Sequence, residues 1–310
     1  MSDAQVRADA GPNPKDSRRY LIGGHSFSAP LLPAALHLVA TPIGNLSDIT
    51  IRALEVLAAA DIIACEDTRT SRVLLQRYGI TGKLAAYHEH NAASAGAKLI
   101  AAIADGQSVA LISDAGTPLL SDPGYRLVDE AVEAGIAIVP IPGPSAALAA
   151  LTASGLPTDA FFFAGFLPSK TKARTDRLVE LKHIPGSLVF YESPRRLPES
   201  FAAMTEALGG DRPACVGREL TKTFEEFRRG TVSELADHYA GAGAPKGECV
   251  ICVGPPLPVT APEGEVLDTL LRDLSGELPA GKAAAEAARQ TGLAKSDLYK
   301  RIVELKAGNG

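Results

Sequence analysis

Four short stretches of the 310-residue chain gather glycine, proline and small hydroxyl or carboxylate residues just after apolar runs. They read Thr41-Pro-Ile-Gly-Asn45, Glu66-Asp-Thr-Arg69, Ser113-Asp-Ala-Gly-Thr-Pro118 with Ser121-Asp-Pro-Gly124, and Pro140-Ile-Pro-Gly-Pro-Ser-Ala146. Glycine lets a ligand come close to the backbone, and proline stiffens the loop around it. One such loop is only a turn, but four at successive strand ends converge on one rim, where ligands of parallel sheets bind. Other chemistries find no support. There is no G-x-x-x-x-G-K-[ST], no G-x-G-x-x-G and no G-x-S-x-G, and Pro279-Ala-Gly-Lys282 lacks the leading glycine of a phosphate loop. His88 and His90 fit one face of a strand, but no third ligand follows, so no metal is expected. Cys249 and Cys252 form a C-x-x-C inside the apolar run 248–254. That run reads as a buried strand, in which residues three apart face opposite sides, so a redox or metal pair is not expected.

The elements that must hold these loops follow from the apolar pattern. Strands are expected over 36–40, 62–65, 83–87, 109–113 and 136–141. Between them come helices over 49–59, started by Thr50, then from the second loop through Leu75, then 95–104 and 125–134. This alternation implies parallel strands with helices on both faces. A second unit begins near Ala153, with strands over 161–163, 187–191, 214–217, 225–231 and 248–254 and helices over 175–183, 197–208 and 233–239. Pro255, Pro256 and Pro258 mark a linker. Helices are then expected over 265–274 and 279–290, with a last one capped by Ser296 or Asp297 and running to Lys306. Ala284, Ala285, Ala288, Gly292, Leu293, Leu298, Ile302 and Val303 have helix-turn-helix spacing, which two packed helices that bind nothing would also satisfy. The expected organisation is a disordered leader over 1–34, α/β domains over 35–152 and 153–256, and a helical extension over 263–310.

Composition suits a globular protein, with 46% hydrophobic and 22% charged residues. Four scattered cysteines are too few for a disulfide scaffold and suit a reducing cytosol. No apolar run is long enough to span a bilayer, and the first residues lack the pattern of a secretory signal. A net charge of −5 excludes a uniformly basic nucleic-acid binder. Residues 280–310, however, carry six cations (Lys282, Arg289, Lys295, Lys300, Arg301, Lys306) against three acids (Glu286, Asp297, Glu304), a balance of 6 − 3 = +3. Lys170, Lys172, Arg174 and Arg177 form a second basic cluster. Both are candidate phosphate contacts, although most charge runs are simply solvated.

Read in order, Val39-Ala-Thr-Pro-Ile-Gly-Asn-Leu-Ser-Asp-Ile-Thr50, Glu66-Asp-Thr-Arg69, Ser113-Asp-Ala-Gly-Thr-Pro118, Asp122-Pro-Gly124 and Pro142-Gly-Pro-Ser145 resemble a specific family. So do Gly165-Phe-Leu-Pro168, Tyr191-Glu-Ser193, Arg218-Glu-Leu-Thr-Lys222 and Lys246-Gly-Glu248. The family is ribosomal RNA small subunit methyltransferase I, within the tetrapyrrole methylase superfamily. The resemblance covers about residues 36–254, and the helical tail resembles the family's C-terminal extension. It implies two α/β domains of the tetrapyrrole methylase type with an interdomain cleft for S-adenosylmethionine, plus that helical extension. It also implies a cytoplasmic homodimer, not bound to a membrane, that methylates the ribose 2′-oxygen of a decoding-site cytidine in 16S rRNA of the small ribosomal subunit.

Residue by residue, the resemblance implies that Asp114, Gly116 and Thr117 hold the methionine part of the cofactor. Ser145 and Ala146 lie along its adenosine, and Tyr191, Gly247 and Glu248 close over the adenine. The 41–45 loop departs from the Gly-rich loop of the cobalamin and sirohaem branches, which argues against a tetrapyrrole substrate and leaves the loop free for RNA. A ribose hydroxyl is a poor nucleophile until its proton leaves. Glu66, Asp67 and Glu219 are the candidate bases, and Arg69, Arg218 and Lys222 are candidates to steady an alkoxide or phosphate. Each is equally a residue type that braces loops through ion pairs. The 170–177 cluster and Arg195-Arg196 are expected on the RNA backbone. Three rivals remain. A methylase of precorrin-like rings would not need the basic tail, a non-enzymatic nucleic-acid binder would not need the strand-end loops, and a nucleotide-dependent enzyme is disfavoured by the missing phosphate loop.

Overall fold

Two glycines in succession, Gly23 and Gly24, both adopt positive φ (57° and 85°) and close a hairpin between β1 (Arg19–Ile22) and β2 (His25–Ser28). That is the turn chemistry two-residue hairpins require. The structure, a computed structural model, describes residues 18–121, 124–242, 245–257 and 264–307. The hairpin corrects the expectation of a leader disordered throughout 1–34. Tyr20 is buried and stacks on Phe27 at 5.5 Å, and the Leu21 N–H donates to the Tyr78 carbonyl at 2.7 Å. The polar composition of the first residues masked this short alternating segment, and residues 1–17 lie outside those described.

The chain divides between Pro255 and Pro256 into two bodies. In the first, β3 (Leu36–Val39), β4 (Ile62–Cys65), β5 (Leu84–Ala86), β6 (Val109–Ile112) and β7 (Ile138–Ile141) form an all-parallel sheet in the order β5-β4-β6-β3-β7. Its strands β4 and β6 are apolar throughout because helices cover both faces. α1 (Ile51–Ala59) and α2 (Thr68–Arg77) pack on one face, α3 (Ala92–Ala104) and α4 (Tyr125–Glu133) on the other. Thr50 caps α1 as expected, its Oγ1 accepting from the Ala53 N–H at 3.1 Å. Pro140 is tolerated because β7 is an edge strand.

An unanticipated helix follows, α5 (Ala146–Ser154), ended by Gly155 in the left-handed region. Then come β8 (Phe161–Phe166), α6 (Thr171–Leu181), β9 (Ser187–Glu192), α7 (Leu197–Leu208), β10 (Pro213–Arg218), β11 (Glu226–Thr231), α8 (Val232–Ala242) and β12 (Cys249–Val253). Their sheet runs β11-β10-β12-β9-β8, and only β8 and β9 pair in parallel. α6, α7 and α8 cover one face. On the other face Ala147, Ala150 and Leu151 of α5 pack with Val189, Cys215, Val250 and Cys252, joined by Ile43 from the rim of the first sheet. The domain boundary expected at 152/153 therefore falls inside a helix that belongs to the second sheet.

The second body is a bundle of α9 (Gly264–Glu277), α10 (Ala280–Thr291) and α11 (Lys295–Ala307) around Leu271, Ala283, Ala284, Ala287, Leu298 and Ile302. The buried alanines are displaced by one residue from the expected set, and Val303 is exposed. Ser296 and Asp297 lie inside α11 rather than capping it: the Ala294 carbonyl accepts from the Asp297 and Leu298 N–H groups. Arg289 is held by Glu286, and Arg301 by Asp268 and Glu304, so the cations of this tail with no ion pair among the described residues are Lys282, Lys295, Lys300 and Lys306.

Candidate active site

Because every strand of the first sheet points the same way, the four loops of interest all emerge at its carboxyl end, and they interlock there. Thr41 and Gly116 exchange backbone hydrogen bonds of 2.9 and 3.0 Å, and Thr41 Oγ1 donates to the Ser113 carbonyl at 3.1 Å. Thr117 Oγ1 donates to the Pro144 carbonyl at 3.2 Å, and the Asp67 N–H donates to Asp114 Oδ1 at 3.2 Å. Gly116 sits at φ 83°, where a Cβ would touch Ile43 Cγ2 at 3.4 Å. The backbone conformation is what favours glycine here, since the contact itself would be an ordinary one.

These loops face the second sheet across a cavity of about 440 Å³. Of the residues assigned to the cofactor, Asp114, Gly116, Thr117, Ala146, Tyr191, Gly247 and Glu248 all line it. Ser145 does not. It precedes α5 with its hydroxyl buried and, among the described residues, without a hydrogen-bond partner. The lining also holds residues that pattern reading did not assign to the cofactor: Leu120 and Ser121 from the first sheet's loop after β6, and Phe166, Glu192 and Leu220 from the second-sheet side. Glu192 is wholly buried. Its carboxylate accepts from Ser200 Oγ at 2.6 Å and from the Ser193 N–H at 2.8 Å, and it pairs with Arg196 at 3.4 Å.

None of Glu66, Arg69, Glu219 and Lys222 lines the cavity; they stand beside it in two groups. Asp67 accepts from the backbone and guanidinium of Arg69, whose hydrogen bonds push its carboxyl down to about 2, while Glu66 is exposed. Across the cavity, Lys222 Nζ bridges Glu219 at 2.7 Å and Glu248 at 2.8 Å, and Glu219 also accepts from the Glu248 N–H. The Lys222 ammonium holds the Glu219 carboxyl below its ordinary value. Both carboxylates are thus engaged by cations, Asp67 by Arg69 and Glu219 by Lys222. Arg218 is tied to Glu226 and to the Lys246 carbonyl, a bracing role.

Among the described residues, the non-glycine positions with positive φ are Leu119 (73°), Ser121 (63°), Glu219 (49°) and Thr221 (65°). All lie in the two loops that bound this cavity, and such strain clusters where ligands are clamped. Gly44 and Gly247 make room for the second loop, because a Cβ on Gly44 would strike Lys222 and one on Gly247 would strike Glu219.

Several expected RNA contacts are structural instead. Arg174 is buried against Glu199, and Arg196 donates to the Leu167 and Pro168 carbonyls at 2.7 and 2.9 Å. Lys172 and Arg177 pair with neighbouring acids on α6. Cys249 and Cys252 face opposite cores as expected, burial pushing each thiol up to about 12. His88 and His90 follow β5 rather than lying in it, and the described residues contain no metal-binding cluster. Asp122 and Pro123 lie outside the described residues.

Residues 35–236 match the family model for tetrapyrrole (corrin/porphyrin) methylases. Solved structures of the same architecture include diphthine synthase (TM-score 0.56, 14% identity, 71% of this chain and 89% of that one) and the cobalt precorrin-4 methyltransferase (0.54, 18%, 71% and 95%). At those identities the likeness speaks for the fold alone. Fold and matched segment together define a methylase of the tetrapyrrole type. Residues 260–306 match a further model, the RsmI C-terminal HTH domain. The ribosomal RNA small subunit methyltransferase I of Mesorhizobium japonicum is 65% identical over 290 residues (94% of this chain, 98% of that one), and that of Pseudomonas aeruginosa 49% over 279 (87% and 96%). The chain belongs to the ribosomal RNA small subunit methyltransferase I family.

Proposed function

We propose that the protein transfers a methyl group from S-adenosylmethionine to the ribose 2′-oxygen of a decoding-site cytidine in 16S rRNA of the small ribosomal subunit, acting in the cytoplasm as a homodimer. The observation that carries the reading is the cavity itself: the loops that match the family in order converge on one enclosed space. Family membership supports the RNA substrate, the dimer and the cytoplasmic site. No described helix is long and apolar enough to cross a membrane. A related fold, the uroporphyrin-III C-methyltransferase of Thermus thermophilus (TM-score 0.51, 19% identity, 71% of this chain and 97% of that one), has been solved with S-adenosyl homocysteine.

The residues present fit that cofactor. Gly116 and Gly247 open the backbone, the Asp114 carboxylate faces the cavity, and the orphaned Ser145 hydroxyl lies beside Ala146 at the start of α5. In this reading Asp114, Gly116 and Thr117 hold the methionine part, Ser145 and Ala146 the adenosine, and Tyr191, Gly247 and Glu248 the adenine. Bound there, the cofactor supplies an electrophilic methyl on a sulfonium. The protein's task is to bring the ribose oxygen into line and exclude water. Glu66, exposed and with no ion pair among the described residues, is the carboxylate left to take the hydroxyl proton. Lys222, oriented by Glu219 and Glu248, and Arg69, oriented by Asp67, are the cations that steady the oxygen and the phosphate.

The test is incubation with methyl-labelled S-adenosylmethionine and, in parallel, 30S subunits, naked 16S rRNA and a precorrin-type ring. Label mapped to one decoding-site cytidine 2′-oxygen, lost in Asp114→Ala, is the expected result. Label only in the ring, or at a base, would reject the reading.

A further inference from the structure

β8 carries a bulge. Phe163 pairs with Val189 and Gly165 with Phe190, so Ala164 is an extra residue in the strand. Residues three apart on a regular strand face opposite sides. The inserted residue, with Gly165 at φ 65°, instead puts Phe163 and Phe166 on the same side, both against Tyr191. Their rings meet the Tyr191 ring edge-on, at 5.0 and 5.6 Å between centroids. Bulges beside active sites commonly re-aim a side chain in this way. Phe163 is covered within the core beneath α5, but Phe166 lines the cavity and remains 57% exposed. The bulge thus brings to the cavity mouth an aromatic ring that stays largely exposed among the described residues, propped at its edge by Tyr191.

What would cover it is indicated just beyond. β8 and β9 are parallel and leave the sheet at the same end, with Phe166 opposite Tyr191. Four residues past each aromatic stands an exposed cation, Lys170 and Arg195, and neither forms an ion pair among the described residues. Arg196 binds the β8 exit, at the Leu167 and Pro168 carbonyls, to Glu192 at the end of β9, which holds the two exits together. A planar face flanked by unpaired cations is what a nucleotide needs, a ring to stack on and charge for its phosphate.

We propose that Phe166 is the stacking platform for an RNA nucleobase drawn out at the acceptor site, with Lys170 and Arg195 on the adjoining phosphates. The proposal rests on the RNA reading above and adds the residue that receives the base. The adenine of the cofactor is a planar ring of the same chemistry, so the experiment separates the two. Phe166→Leu and Phe166→Tyr are compared with the parent protein in steady-state methyl transfer to 30S subunits and in calorimetric binding of S-adenosylhomocysteine. Phe166→Leu is expected to lose about tenfold or more in kcat/KM for 30S, mainly through KM. Its affinity for S-adenosylhomocysteine should stay within about twofold, and Phe166→Tyr should restore transfer. A parallel loss of S-adenosylhomocysteine affinity would assign the ring to the cofactor and overturn the proposal, as would unchanged transfer by Phe166→Leu. No transfer to 30S by the parent protein would instead remove the RNA reading, and this inference with it.

Discussion

The two walls of the cavity are built from different material. The first-sheet wall is mostly backbone: loops 41–45, 113–118 and 142–146 tie to one another through main-chain groups and short hydroxyls, and the φ of Gly116 fixes their approach. The second-sheet wall is mostly side chain, with Phe166, Tyr191 and Glu192 aimed by strand register, Leu220 entering from the loop after β10, and Glu192 held by hydrogen bonds from further back. Adding atoms therefore damages a backbone wall, and removing a partner damages a side-chain wall.

Gly116→Val is the most severe way to test the contrast. A β-branched residue at φ 83° beside Ile43 cannot keep the loop in place. We expect methyl transfer and S-adenosylhomocysteine binding to fall by about a hundredfold or more. The strain is local, about 1–2 kcal/mol, so the melting temperature should drop by only a few degrees. A large loss of stability with binding intact would show that the first wall is structural rather than a ligand surface.

Glu192→Leu should reverse the proportions. It removes a fully buried carboxylate and leaves Arg196, Ser200 and the Ser193 N–H without their acceptor. The expected cost is about 3 kcal/mol, or roughly 6–12 °C in thermal melting, with Glu192→Gln milder. Calorimetry decides, and a variant as stable as the parent would mean that the second wall does not depend on this anchor.

The smallest effect is expected at the charged edge where the two walls meet. Lys222 holds the Glu219 carboxyl below its ordinary value of 4.5. The stability this contributes is present above that value and disappears as pH falls through the depressed one. Lys222→Met should therefore lower the melting temperature slightly at pH 7, and the two proteins should converge as pH falls below about 4.5. An equally steep fall in the variant would assign the acid sensitivity to other carboxylates.

The same contrast explains what could be read in advance. The backbone wall was legible because its determinants are local. Gly116, Pro142 and Thr41 declare turns wherever they occur, and parallel strands bring their loops to one rim. Along the second wall the chain segments were read correctly, but not the direction of their side chains. Phe166 faces the cavity only because Ala164 is inserted into β8, and nothing in Phe-Phe-Phe-Ala-Gly-Phe marks which residue is extra. Helix α5 was missed because its run of alanines and leucines has no polar stripe to reveal a period. The hairpin at 19–28 was hidden in a polar neighbourhood, although its Gly-Gly turn was visible. Charge in a sequence does not say whether its partner lies inside the same fold, so nothing in it marks Arg174, Arg196 and Arg218 as paired with Glu199, Glu192 and Glu226.

Helix α5 has a mechanical consequence. It continues the chain directly from the rim of the parallel sheet, yet its apolar residues are bedded in the other sheet, so it is a dowel set across the joint. Swinging the sheets apart would pull Ala147, Ala150 and Leu151 out of their sockets and expose that apolar surface to water. The cavity is left bounded at its rim by the small, strained loops at 119–121 and 219–221.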